Sequence, residues 1–346
     1  MFLYKFFLLS LVTIILTFVF IKNQKFFLRF ADNELNKPQA FHSFPTLRIG
    51  GLIIYLLSLF CLFFFIKFNF FLFSIISLGT LFFLIGFFED IKFKISPMLR
   101  LILMITFSYM IIYYLNLQIL NTQFVFLNNV ITSNRLISSA FVCLCLLFIV
   151  NGCNLVDGFN GLLLIHFLII SLVLMFIDKS HDSSVQEYLR FLVIINFLIL
   201  FFNFPKAQIF LGDGGAYYLG INLSLIIIKI SNLNTDIPPF FFVCLLFYLF
   251  FEVFFSFFRK FILNNNSPLN PDKKHLHMLV FRFLHKNNNN LDKSNYLTSI
   301  IINFTYLIFI IPLILNYKNE LFCKLYFIIL IFIYLFFYRK LYFKNN

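Results

Sequence analysis

The sequence predicts an all-α polytopic integral membrane protein with about eleven transmembrane helices, its N-terminus outside and its C-terminus cytoplasmic. Three observations lead there. Hydrophobic residues make up 61% of the 346 positions and charged residues only 12%, too apolar a mixture for a water-soluble globule. The apolar residues fall in runs of the ~20 residues needed to cross a hydrocarbon core of ~30 Å. The 27 Lys and Arg residues are distributed unevenly between alternate loops, as the positive-inside rule requires.

Taken in order, the runs cover 2–21, 48–66, 69–88, 98–116, 136–153, 161–177, 189–204, 214–230, 238–258, 296–316 and 321–338. The first has only Lys5 ahead of it and no small-residue cleavage pattern near its end, so it reads as a retained helix rather than a signal peptide. With the N-terminus outside, the cytoplasmic loops carry 19 of the Lys and Arg residues and the outer loops 8. The whole of 1–346 reads as one transmembrane domain whose cytoplasmic loops 22–47, 89–97, 154–160, 205–213 and 259–295 form the site. Tyr and Lys must anchor the interfaces, since the chain has no Trp.

A net charge of +13 would suit nucleic acid in a soluble protein. In a chain this hydrophobic it is accounted for by basic cytoplasmic loops, and no nucleic-acid partner is expected. The six cysteines form no C-x-x-C pair and no regular spacing, so neither disulfides nor a zinc cluster is indicated.

Polar clusters concentrate on the inner loops: "DNELNKPQAFHSFPTLRIGG" (32–51), "GFFEDIKFKISP" (86–97), "NGCNLVDGFNG" (151–161), "NFPKAQIFLGDGG" (203–215) and "SPLNPDKKHLHMLVFRFLH" (267–285). A single carboxylate at a helix end is ordinarily an interface residue. Glu89, Asp90, Asp157 and Asp213, arriving from three loops beside Gly-rich turns, together suit a hard divalent cation bound through oxygen. Magnesium takes only one or two protein carboxylates, which leaves the others free for different work.

If the helix runs on through 154–161, Asn154, Asp157 and Asn160 share one face, suited to reading a sugar or base. Pro268 and Pro271 favour an extended form for "PDKKHLH", which would put His275 and His277 on one side. Beside Lys273 and Lys274 these histidines read as an anion-binding strip, with a zinc site or a basic loop lying on anionic lipid as the alternatives. Lys37, His42 and Arg48 share a loop with the turn-formers Pro38, Pro45 and Gly50-Gly51. His166 is expected to face other helices, and Glu252 is an intramembrane acid whose partner the sequence does not name.

In this order the clusters resemble the polyprenyl-phosphate N-acetylhexosamine-1-phosphate transferases, the glycosyltransferase family 4 enzymes related to phospho-N-acetylmuramoyl-pentapeptide transferase. "KPQAFHSFPTLRIGG", "GFFEDIKFKIS", "NLVDGFNGL", "NFPKAQIFLGDGG" and "PDKKHLH" are similar to five successive cytoplasmic loops of that family, from Lys37 to His277. Glu89 stands where the family usually has a first Asp, Asn160 where many members have a second Asp, Met278 where a further His is common, and Gln208 where Lys is usual.

The resemblance implies transfer of a sugar-1-phosphate from a UDP-sugar to undecaprenyl phosphate, with release of UMP, on the cytoplasmic face of a bacterial inner membrane. It implies a Mg²⁺ cofactor, with Mn²⁺ as an alternative. Asp213 is the expected first metal ligand, and Asp157, with Asn154, would join it or hold the uridine. Asp90, beside Glu89, would deprotonate or orient the lipid phosphate. Lys37, His42, Arg48, Asn160, Asn203, His275 and His277 would contact the substrates. UDP-N-acetylglucosamine is the first donor expected, with UDP-N-acetylquinovosamine or UDP-N-acetylfucosamine as alternatives. Direct and two-step displacement both remain open, as does the homodimer common in the family. A relative that binds polyprenyl phosphate without turnover and a lipid or solute transporter are the competing readings; the latter would concentrate polar groups near the bilayer midplane.

Overall fold

The computed structural model describes residues 2–23, 30–32, 45–93, 95–180, 182–263, 274–288 and 290–345. Within them the expected all-α polytopic architecture is present. Each apolar run corresponds to a helix: α1 (Phe2–Lys22), α2 (Gly50–Phe64), α3 (Phe70–Asp90), α4 (Pro97–Leu115), α6 (Arg135–Val156), α7 (Leu162–Ile177), α8 (Ser183–Asn203), α9 (Gly212–Leu233), the pair α10 (Pro239–Leu245) and α11 (Phe247–Phe258), α13 (Leu291–Leu315) and α14 (Glu320–Asn345). Among the described residues, 8 helices are long and apolar enough to span a bilayer, or 9 if the bent pair α10–α11 is one span; α2 and α7 are apolar but shorter.

Polar residues at the edges of the runs start the helices. Asn69 accepts from Leu72 N–H at 2.9 Å to cap α3, Asn134 from Leu136 N–H at 2.8 Å to cap α6, and Asn290 from Lys293 N–H at 2.9 Å to cap α13. Ser96 does the same for α4, where Pro97 occupies the first turn. Several helices outrun the hydropathic windows. α8 starts six residues before its apolar run, because "SSVQEYL" follows the Asp182 cap, and α14 continues through Arg339, Lys340 and Lys344. Charged ends at an interface can remain helical.

Two helices arise outside the apolar runs, α5 (Val125–Ser133) and α12 (Leu276–Asn288), and the run 238–258 breaks at Leu246 with a bend of 73°. A π-helical turn, Arg259–Leu263, follows α11. A small sheet also forms: β1 (Ala31–Asp32) pairs antiparallel with β2 (Thr46–Arg48), which pairs parallel with β3 (Ile209–Phe210).

At the centre stands α9, buried along most of its length and packed chiefly on α3 and α6, with α2 against its start. Small residues allow the contact. A Cβ on Gly86 of α3 would lie 2.5 Å from Gly214 N, and one on Gly51 of α2 would lie 2.3 Å from Gly215 Cα. The starts of α2 and α9 and the end of α3 therefore meet backbone to backbone, and this junction positions the acidic residues.

Candidate active site

Asp90, the last residue of α3, supplies the cap that α9 lacks locally. Its Oδ1 accepts from Asp213 N–H and its Oδ2 from Gly214 N–H, both at 2.9 Å. A carboxylate at a helix N-terminus satisfies orphan donors and meets the positive end of the helix dipole. Gly212, at φ +80°, makes the turn possible: a Cβ there would lie 2.6 Å from Asp90 Oδ2. Asp90 is only 3% exposed. The residue expected to handle the lipid phosphate is thus committed, through both oxygens, to holding Asp213 in place.

Around this junction lie the other charges. Arg48, at the end of β2, reaches Asp32 Oδ2 at 2.7 Å and Asp90 Oδ1 at 3.8 Å. Burial alone would lower its pKa, but the carboxylates of Asp213, Asp32 and Asp90 raise it above the ordinary arginine value. Arg100, in the first turn of α4, hydrogen-bonds Glu89 and lies 3.8 Å from Asp213 Oδ2. Its guanidinium also sits over the Tyr217 ring at 5.8 Å. Arg100 is thus the shared counter-ion of Glu89 and Asp213.

Asp157 follows the last residue of α6 and is half-buried. Burial, reinforced by Asp213 and Asp90 and opposed by Arg48, pushes its carboxyl well above the ordinary range. Neither Asp157 nor Asn154 has a side-chain hydrogen-bond partner among the described residues. The cluster thus brings the carboxyls of Asp32, Glu89, Asp90, Asp157 and Asp213 together with two guanidiniums.

The continued helix through 154–161 is not formed. α6 stops at Val156 and residues 157–161 turn, so Asn160 leaves the face of Asn154 and Asp157. Asn160 instead donates from Nδ2 to Pro205 O at 2.9 Å, while its N–H donates to Asn295 Oδ1 at 2.9 Å. Asn203 accepts from Gly161 N–H at 2.6 Å and donates to Ile209 O at 2.9 Å. Both asparagines fasten the 157–161 turn to the segment leading into β3.

The extended form expected at the histidines is likewise replaced. Glu252 of α11, 1% exposed, accepts from Leu276 N–H at 3.1 Å and lies 3.1 Å from His275 Nδ1, so α12 starts at once. The His275 and His277 rings nevertheless stack, with centroids 5.5 Å apart and planes 2° from parallel. His277 Nδ1 is 3.1 Å from Tyr248 Oη, and its ring lies 5.7 Å from Phe159 in the Asp157 turn. His166 faces other helices as expected, with Nδ1 3.2 Å from Asn303 Oδ1. Lys37 and His42 lie outside the described residues.

Sequence reasoning missed Arg100, counting it only as a topological charge. Its spacing of eleven from Glu89, across a turn into "SPMLR", carries no periodic signal. Glu252 was noticed without its partner, which lies 23 residues later on another element.

For a divalent cation, no three His, Cys, Asp or Glu side chains among the described residues form a protein-only cage. Magnesium does not require one, since water and phosphate oxygens complete its octahedron. Asp213 and Asp157, half-buried and close to further negative charge that two arginines do not balance, fit such a partial set.

A membrane-embedded helical bundle with an acid–arginine cluster at one end is the class this geometry defines. Residues 72–231 match the family Glycosyl transferase family 4. The matched stretch contains Glu89, Asp90, Asp157 and Asp213, while Arg48, His275 and His277 lie outside it. The chain is 31% identical over 137 residues to an undecaprenyl-phosphate alpha-N-acetylglucosaminyl 1-phosphate transferase of Thermotoga maritima, covering 40% of this chain and 41% of that one. It is 31% identical over 140 residues to a probable undecaprenyl-phosphate N-acetylglucosaminyl 1-phosphate transferase of Bacillus subtilis, covering 39% and 38%. The matched region thus spans about two fifths of the length of these relatives.

Proposed function

We propose that the protein transfers an N-acetylhexosamine-1-phosphate from a UDP-sugar to undecaprenyl phosphate, releasing UMP, at the cytoplasmic face of a bacterial inner membrane. The observation that carries this reading is the packing of α2, α3 and α9, which gathers carboxylates from three loops with two arginines at one end of an apolar bundle. A soluble anionic donor and a lipid-borne phosphate can meet only at such a surface.

In the reaction, a phosphate oxygen of the lipid bonds to the β-phosphorus of the donor while the bond from that phosphorus to the UMP oxygen breaks. Two anions must be brought together, so positioning and charge neutralisation carry most of the work. Asp213 and Asp157 would hold Mg²⁺, or Mn²⁺ in its place. When bound, the ion would neutralise the diphosphate and the departing UMP. Arg48 and Arg100 donate hydrogen bonds to phosphate oxygens, Arg100 exchanging its carboxylate partners for substrate. Asn154, on the last turn of α6 before Asp157, faces the uridine end, and the stacked His275 and His277 contact the sugar diphosphate. Asp90 acts through Asp213 as a positioning residue.

The test is UMP release by the purified protein with undecaprenyl phosphate, a panel of UDP-sugars, and Mg²⁺ or Mn²⁺ added or withheld. Metal-dependent release with one donor is expected, with UDP-N-acetylglucosamine the first candidate. No release with any donor, from folded protein, would contradict the proposal and favour a polyprenyl-phosphate-binding relative without turnover.

A further inference from the structure

A cavity of about 400 Å³ opens among α11, α12, α13 and α14. It shares no lining residue with the acid–arginine cluster, and α14 contributes nothing to that cluster. Its walls are almost wholly apolar. The charged side chains that line it are Lys340 and Lys344, one turn apart near the end of α14. Lys344 Nζ rests 5.0 Å from the centre of the Phe283 ring on α12, and Lys340 Nζ 5.9 Å from that of Phe336. Neither has a carboxylate partner among the described residues. Lys324 on the same helix, by contrast, pairs with Glu320 one turn away.

Away from the two lysines the walls are mostly hydrocarbon, so water would be poorly held along them, and left empty the space would forfeit dispersion contacts there. In a bilayer the available filler is hydrocarbon. The two ammonium groups at one end call for an anion, as basic pockets between membrane helices do. We infer that this cavity binds an anionic phospholipid of the bilayer, one acyl chain inside and the phosphate on Lys340 and Lys344.

A membrane phospholipid fits better than the acceptor, because the phosphate of a reacting lipid must reach Arg100 and Asp213 rather than the end of α14. The site is still coupled to the chemistry. Tyr248 and Leu276 line the cavity, and they are the groups through which His277 and Glu252 are held. A seated chain therefore braces the histidine pair.

Native mass spectrometry of the full protein, released from nanodiscs of mixed phosphatidylglycerol, phosphatidylcholine and undecaprenyl phosphate, tests this without any turnover. Selective retention of phosphatidylglycerol is expected. The double substitution Lys340→Gln/Lys344→Gln should lower that selectivity on the order of tenfold, whereas Lys324→Gln should not. Thr305→Trp, which fills the cavity, should displace the lipid. Retention without headgroup preference, preferential retention of undecaprenyl phosphate, or unchanged selectivity in the double variant would each overturn the assignment. If the tryptophan variant does not fold, the wild-type and lysine measurements decide alone.

Discussion

At the end of the bundle remote from the cluster, each acid has its own partner. Asp182 caps α8 through Ser184 and Val185 N–H and lies 3.8 Å from Lys229. Asp178 accepts from Asn234 at 2.9 Å, Glu187 pairs with Lys5 at 2.9 Å, and Asp236 pairs with Lys318. At the other end, Glu89 and Asp213 share Arg100, and Asp157 feels the charges of Asp213, Asp90 and Arg48. Acids that only stabilise helix ends are spread out and satisfied. Acids pressed together hold a charge imbalance that a cation and a phosphate substrate can resolve.

Breaking the crowded end should have the largest effect. Asp213→Asn keeps the shape but removes the charge, and should lower UMP release by roughly 10²–10³-fold, with the variant still eluting as folded protein. Arg100→Gln should reduce release by about tenfold to a hundredfold, since it strips the shared counter-ion from Glu89 and Asp213. Arg135→Gln, which removes a guanidinium stacked 4.4 Å over Tyr113 at the start of α6, should leave release unchanged. Equal losses in the two arginine variants would erase the distinction between the ends.

Those variants also show what could be read from the sequence. The apolar runs announced the helices, because a segment that buries its backbone in lipid must satisfy its own hydrogen bonds. Asp157 and Asp213 were legible because carboxylates beside Gly-rich turns stand out within apolar sequence. Arg100 was not, since its role depends on how α4 leans on α3. Asp90 was recognised as important, but its duty as the cap of α9 is a contact between residues 123 apart. Asn160 and Asn203 looked like substrate ligands by type, and their hydrogen bonds to Pro205 and Gly161 are contacts that no local pattern records. The start of α12 depends on Glu252, which accepts from Leu276 N–H 24 residues later, a contact that no local pattern records.

Smaller effects follow from packing and caps. Gly86→Ala places a methyl against the backbone of Asp213 and Gly214, and should cost about 1–3 kcal/mol of stability with a parallel loss of activity. Asp182→Ala should cost only ~1 kcal/mol and spare activity. Its pH dependence sharpens the contrast. Burial raises the Asp182 carboxyl, but the Ser184 hydroxyl, the Val185 and Ser184 N–H groups and Lys229 together hold it below its ordinary value. The stabilisation is therefore complete above the unfolded aspartate value of about 3.9 and is lost as pH falls through the lower folded value. Thermal melts of wild type and Asp182→Ala should converge over that acidic interval.

The most direct measurement is Mg²⁺-dependent UMP release from the expected donor by Asp213→Asn and Asp178→Asn, side by side in one membrane preparation. Both substitutions remove a single negative charge, one at each end of the bundle. The account predicts near-complete loss for Asp213→Asn and near-wild-type release for Asp178→Asn. Full release by Asp213→Asn, or equal loss in both, would contradict the assignment of the reaction to the acid–arginine cluster.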